Sequence, residues 1–182
     1  MLKIGIVGHR FFNDPSILKF VSDECDQVLA VLESQAEHLT VLSALAEGAD
    51  TIFAQAAVAR GMQLHIVRPF DSYRNDFITE VANSNYERLC RAAARETFLT
   101  YHSRSVEAYR DAMLWVVNNS DILVAVWNGQ ASLGIGGTAD AVNYAKAGHK
   151  NWIHINVIDR KTVFHFSRTF PHLNSNKSYA TS

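Results

Sequence analysis

The run Asp121-Ile122-Leu123-Val124-Ala125-Val126-Trp127 is apolar at every position from 122 to 127. A strand with no polar face has no side for solvent, and such strands belong inside parallel sheets. The run leaves through Asn128-Gly129. A glycine-rich turn, Gly134-Ile135-Gly136-Gly137-Thr138, then leads into a helix that lasts through about Ala147-Gly148. The same grammar repeats upstream. Lys3-Ile4-Gly5-Ile6-Val7 is a β-branched run ending at Gly8. Asp14-Pro15 then opens a helix, with Asp placed to cap free amides and Pro suited to the first turn. Ile17, Leu18, Val21, Cys25, Val28, Leu29 and Leu32 recur at helical spacing, which carries this helix to about Gln35.

Leu39-Thr40-Val41-Leu42 is the next strand. Gly48-Ala49-Asp50 starts a helix that stops near Arg60-Gly61. Leu64-His65-Ile66-Val67 follows as a strand and ends at Arg68-Pro69. Residues from about 72 to 104 read as a polar, mainly helical excursion. Ser105 to about Asn118 is an amphipathic helix. Trp152-Ile153-His154-Ile155-Asn156-Val157 is a strand, and residues 163–166 fit an edge strand. Strand–helix alternation with short joins predicts one α/β domain, 1–170. It would be a Rossmann-like, doubly wound, mostly parallel sheet with helices on both faces, and a frayed polar tail over 171–182.

Composition narrows the class. Among 182 residues, 48% are hydrophobic and 19% charged, which excludes a disordered or fibrous chain. The formal net charge is −1, so the expected partners do not include nucleic acid. Cys25 and Cys90 are far apart and read as reduced thiols of a cytoplasmic protein. No run reaches the ~18 apolar residues of a membrane span, and no signal peptide is evident. His102, His149, His154, His165 and His172 show no ligand spacing, so neither a metal nor another cofactor is expected. The helix around Trp115 offers a face for a homodimer or higher homo-oligomer; core packing explains that apolar face equally well.

In a doubly wound sheet, ligands lie beyond the carboxyl ends of the strands. The residues there are Gly8, His9 and Arg10; Ser43, Ala44, Glu47 and Gly48; Arg68; and Trp127 and Asn128. The glycine turn adds Gly134, Gly136, Gly137 and Thr138. A helix starting at Gly137-Thr138 presents free amides and the positive end of its dipole to an anion; alternatively the glycines only make the turn tight. Arg10 and Arg68 suit phosphate through paired guanidinium bonds, or are ordinary surface arginines. His9 is a base or a packing residue. Asp140 can contact a ribose, attack an anomeric carbon, or merely favour the helix start. Tyr73, Tyr101 and Tyr109 can stack on a base or fill the core, and Asp76 and Glu80 lie in the same region.

These motifs together resemble a family. I-G-I-V-G-H-R, S-A-L-A-E-G-A-D, R-P-F, S-D-I-L-V-A-V-W and G-I-G-G-T-A-D-A-V-N-Y-A are similar to the SLOG superfamily of Rossmann-like nucleotide-binding proteins. Among its branches the prokaryotic one related to the ligand-sensing domain of TRPM channels looks nearest. LOG-type phosphoribohydrolases, DprA and nucleoside deoxyribosyltransferase-like enzymes resemble it more remotely. The resemblance spans about residues 1–157. It implies a pocket for an ADP-ribose-like, cyclic ADP-ribose-like or nucleoside phosphate ligand, with phosphate on Gly136-Gly137-Thr138 and ribose or base near Gly8, Ser43 and Glu47. The expected role is a sensor or ligand-sequestering protein. The alternative is a nucleotide N-glycosidase using Asp140 or Glu47. The LOG-type P-G-G-x-G-T-x-x-E pattern ends in a catalytic Glu. Here Thr138-Ala139-Asp140-Ala141 lacks it, which speaks against hydrolysis. A DprA-like single-strand DNA binder fares worst on charge.

Overall fold

The structure, a computed structural model, describes residues 1–131 and 136–166. Seven strands form one sheet in the order β4-β3-β2-β1-β5-β6-β7. They are β1 (Leu2–Gly8), β2 (Leu39–Ser43), β3 (Gln63–Phe70), β4 (Arg95–Tyr101), β5 (Ile122–Trp127), β6 (Asn151–Asn156) and β7 (Lys161–His165). All neighbours pair parallel except β6 and β7. The apolar run 122–126 is fully buried between β1 and β6, as a two-sided strand must be. The fold is therefore the expected α/β Rossmann-like sheet with helices on both faces.

The helices are α1 (Pro15–Glu33), α2 (Ala49–Ala59), α3 (Glu80–Ala92), α4 (Val106–Asn119) and α5 (Thr138–Ala147). α1 begins where the sequence places it, with the Asp14 carboxylate accepting from the Ser16 N–H at 2.8 Å. Val21, Cys25, Val28, Leu29 and Leu32 form its buried stripe, which packs on α2 and the sheet. One core lies chiefly between the sheet and α1, α2 and α3; the other lies under α4 and α5.

The region 72–104 corrects the sequence reading. It is not a surface excursion. Arg95–Tyr101 is strand β4, paired with β3 through Val67↔Thr97 and its neighbours. An edge strand needs no continuous apolar face, and Thr97 to Tyr101 have the β-branched and aromatic character that strands favour. Helix α3 buries Ala82, Tyr86 and Leu89. Phe77 stacks on Tyr86 at 4.3 Å, and Tyr73 meets both rings edge-on. These aromatics sit in the main core beside β3. The edge strand expected at 163–166 begins earlier, at Lys161, and ends at His165. The tail expected over 171–182 lies outside the described residues.

The chain runs outward from β1 through β2, β3 and β4, then returns across the sheet to β5 on the other side of β1. Successive crossovers therefore leave the carboxyl ends of β1 and β5 in opposite directions, and a crevice opens between them.

Candidate functional site

That crevice is a cavity of about 530 Å³, a size that holds a small organic ligand. Its floor is Ile6, Val7 and Gly8 of β1, and Ala112, Met113 and Val116 of α4 form an apolar wall. Trp127, Asn128 and Gln130 close the β5 side. His9, Arg10, Ala44, Ala46, Asp50, Tyr73 and Tyr109 close the β2 side.

Each side is held by local chemistry. His9 Nε2 accepts from the Asn128 N–H at 3.2 Å, which ties the exits of β1 and β5 together. Burial lowers the pKa of His9, so the ring is neutral at pH 7 and fit to accept that bond. On the β2 side, Ser43 is fully buried; its hydroxyl donates to Asp50 at 3.0 Å and accepts from the Leu45 N–H at 2.8 Å. Leu45 takes a φ of 53°, a conformation that non-glycine residues avoid, and this loop geometry holds it there. Gly48, at φ 88°, lets the loop press against β1: a Cβ there would stand 2.3 Å from the Arg10 carbonyl oxygen and 2.4 Å from that of His9. Desolvation pushes Asp50 up to about 7, against the opposing pull of the Ser43 hydroxyl.

Two groups favour an anion. The first is the start of α5. Gly137 caps it without a side-chain bond. The amides of Asp140 and Ala141 donate to the Gly137 carbonyl, while those of Thr138 and Ala139 have no acceptor among the described residues. Gly136 (φ 84°) rests on the backbone of Arg110, where a Cβ would meet it at 3.3 Å. The second group is Arg10. Its guanidinium lies 5.1 Å from the centroid of the Tyr109 ring. The Tyr109 hydroxyl donates to Asp76 in a short contact. Arg10 makes no ion pair among the described residues, so it keeps donors for a ligand.

The structure thus brings Gly8, His9, Arg10, Ala44, Trp127, Asn128, Gly136, Gly137 and Thr138 to one cavity. It places other candidates elsewhere. Ser43 and Gly48 shape the loop but do not line the space. Arg68 points to the opposite sheet face, where it pairs with Glu96 at 2.8 Å and packs 5.1 Å from the Phe98 ring. Asp140 turns back to accept from the Gly136 N–H at 2.8 Å, so its carboxylate organises the turn. Glu47 is half-buried outside the lining. Gly134 lies outside the described residues. Asp50, read in the sequence only as part of a helix start, and Tyr73 also line the cavity, and Asp76 braces Tyr109 behind it. Among the described residues no group of three or more His, Cys, Asp or Glu could hold a metal ion, and no helix is long and apolar enough to cross a membrane.

No protein-family model matches the chain, and no curated protein matches it in sequence. Solved structures do match. The DNA processing protein A of Helicobacter pylori, known for a unique single-stranded DNA binding mode, superposes with a TM-score of 0.60 at 16% identity, over 84% of this chain and 64% of that one. DNA processing protein A of Streptococcus pneumoniae gives 0.59 at 14%, over 84% and 50%. The protein TM1055 gives 0.54 at 16%, over 84% and 72%. The chain therefore spans only about half to two thirds of the two DNA processing proteins. At these identities the likeness shows the fold alone. It still corrects one expectation. A net charge near zero argues against nucleic acid in the sequence, yet the same fold occurs in a protein that binds single-stranded DNA. Net charge sums over the whole surface, whereas binding depends on the groups at one site, so nucleic acid is not an unlikely partner for a chain of this fold.

Proposed function

We propose that this protein binds a phosphorylated, nucleotide-derived small molecule in the cavity between β1 and β5, as a sensor or sequestering protein. The observation that carries the reading is the pairing of two anion-favouring groups on one space: the open first turn of α5 and the Arg10 guanidinium, which forms no ion pair among the described residues. Phosphate lies on the amides of Thr138 and Ala139, where the helix dipole adds to the hydrogen bonds. The apolar floor and Trp127 receive the base or sugar. This agrees with the resemblance to SLOG proteins, including the branch related to the TRPM sensing domain.

The geometry favours binding over N-glycoside cleavage. A cationic sugar intermediate needs a carboxylate facing it. Asp140 is occupied by Gly136 and Glu47 is off the lining. Asp50 is buried and bound by Ser43.

The test is calorimetry with AMP, ADP-ribose, NAD and a short single-stranded oligonucleotide, on the protein and on Gly137→Asp. An Asp at this cap position accepts from the α5 amides itself. The variant is expected to lose nucleotide binding while gaining helix stability of about 0.3 kcal/mol. Unchanged binding in a folded Gly137→Asp protein refutes the site. Tighter binding of the oligonucleotide than of any nucleotide would move the reading to a nucleic-acid end.

A further inference from the structure

A second cavity, of about 350 Å³, lies beside α4 on the same sheet face. Its floor is the part of β1 to β4 that α4 leaves uncovered, and Trp115 and Asn119 of α4 form its wall. The first cavity takes Ala112, Met113 and Val116 from the neighbouring side of that helix, so α4 stands between the two spaces.

Three basic side chains line this second space: Lys3 from β1, His65 from β3 and Arg95 from β4. The register sets His65 directly beside Arg95 and sets Lys3 two strands away, on the far side of β2. Among the described residues no Asp or Glu lines the cavity. The nearest candidates are committed elsewhere. Glu96 follows Arg95, but strand alternation turns it to the other face, where it pairs with Arg68. The Asp121 carboxylate accepts from the main-chain N–H of Lys3 at 2.8 Å. Neither Lys3 nor Arg95 forms an ion pair among the described residues. His65 is fixed between them: its Nε2 lies 2.9 Å from the Thr97 hydroxyl, and its ring meets Trp115 edge-on at 4.8 Å. Burial and the two cations together lower its pKa.

Like charges gathered on a half-enclosed space without a counter-charge repel one another, and an anion entering that space relieves the repulsion. We propose that this cavity binds a phosphate group, free or as a monoester, between Lys3 and Arg95, with any organic substituent against Trp115. A phosphate dianion matches the two permanent cations in charge. The Arg95 fork suits two of its oxygens, and Lys3 supplies a point charge. The site is independent of the reading given for the first cavity.

The test is NMR titration of the His65 and Trp115 side-chain signals with inorganic phosphate and with phenyl phosphate, ionic strength being held constant with chloride. Both signals are expected to shift with saturation at about 1 mM or tighter. The His65 titration midpoint is expected to rise when phosphate is bound, because the anion offsets Lys3 and Arg95. Arg95→Gln and the double variant Lys3→Gln/Arg95→Gln should weaken binding by about tenfold and more. Both residues reach solvent, so these variants should fold. Tighter binding of phenyl phosphate identifies an ester as the occupant; equal binding identifies free phosphate. Absence of saturable shifts, or equal affinity in the variants, overturns the proposal.

Discussion

Replacing Asp50 with Asn should change how the protein's stability depends on pH. Asp50 is 5% exposed, and its carboxyl is raised from 3.8 to about 7, chiefly by desolvation. Each tenfold change in proton affinity is worth about 1.4 kcal/mol, so a rise of this size makes ionised Asp50 oppose folding by of order 4 kcal/mol. The folded state holds the proton more tightly than the unfolded chain. The stabilisation is therefore complete below pH 3.8 and is lost progressively as pH rises through about 7. Asn keeps the shape and an acceptor for the Ser43 hydroxyl but cannot ionise. Urea unfolding of both proteins from pH 4 to 8 measures the effect as a difference, in which all other titrating groups cancel. The stability of the wild type relative to Asp50→Asn should fall by several kcal/mol across that range. A difference that stays constant with pH refutes the assignment of a buried, proton-holding Asp50.

The same group bears on binding. Asp50 and Arg10 line one cavity, so ionising Asp50 adds a negative charge near the anion site; nucleotide affinity should weaken as pH rises through about 7, and less so in Asp50→Asn. Gly48→Ala places a Cβ 2.3 Å from a carbonyl oxygen at positive φ, which should cost about 3 kcal/mol or more and appear as a large drop in thermal midpoint. Asp14→Ala removes the α1 cap and should cost about 1 kcal/mol in urea unfolding without touching ligand binding. Tyr109→Phe deletes the hydroxyl that bonds Asp76 and so holds the ring beside Arg10; it should weaken nucleotide binding severalfold while the circular dichroism spectrum stays unchanged.

The parts of this fold that were legible in sequence are those set by local pattern. Ile122 to Trp127 reads as a buried strand because both of its faces are apolar. Asp14-Pro15 reads as a helix start because cap and proline act within one turn. Strand β4 escaped because an edge strand carries polar residues without penalty, and Arg95-Glu96-Thr97 shows no apolar alternation. At the site, the residues following β1 and β5 were findable from the rule that ligands sit beyond strand ends. The Arg10–Tyr109–Asp76 chain was not, since Tyr109 and Asp76 stand 33 positions apart and meet only through tertiary packing. Arg68 misleads for a geometric reason: at a strand end, one residue of register decides which face a side chain takes, and Pro69 rather than Arg68 faces the cavity. Asp140 misleads because a carboxylate four residues past a glycine can turn back and bond its amide.

The central claim is that the β1/β5 cavity holds a nucleotide-derived molecule without cleaving it. Ultrafiltration tests this directly. Protein in excess is mixed with nucleoside monophosphates, ADP-ribose, NAD and cyclic ADP-ribose isomers, and the filtrate and the denatured retentate are both chromatographed. The account predicts that one of these disappears from the filtrate and returns intact on denaturation, and that Arg10→Gln abolishes the retention. Free base with sugar phosphate in the filtrate, or no retention of any of them, would contradict it.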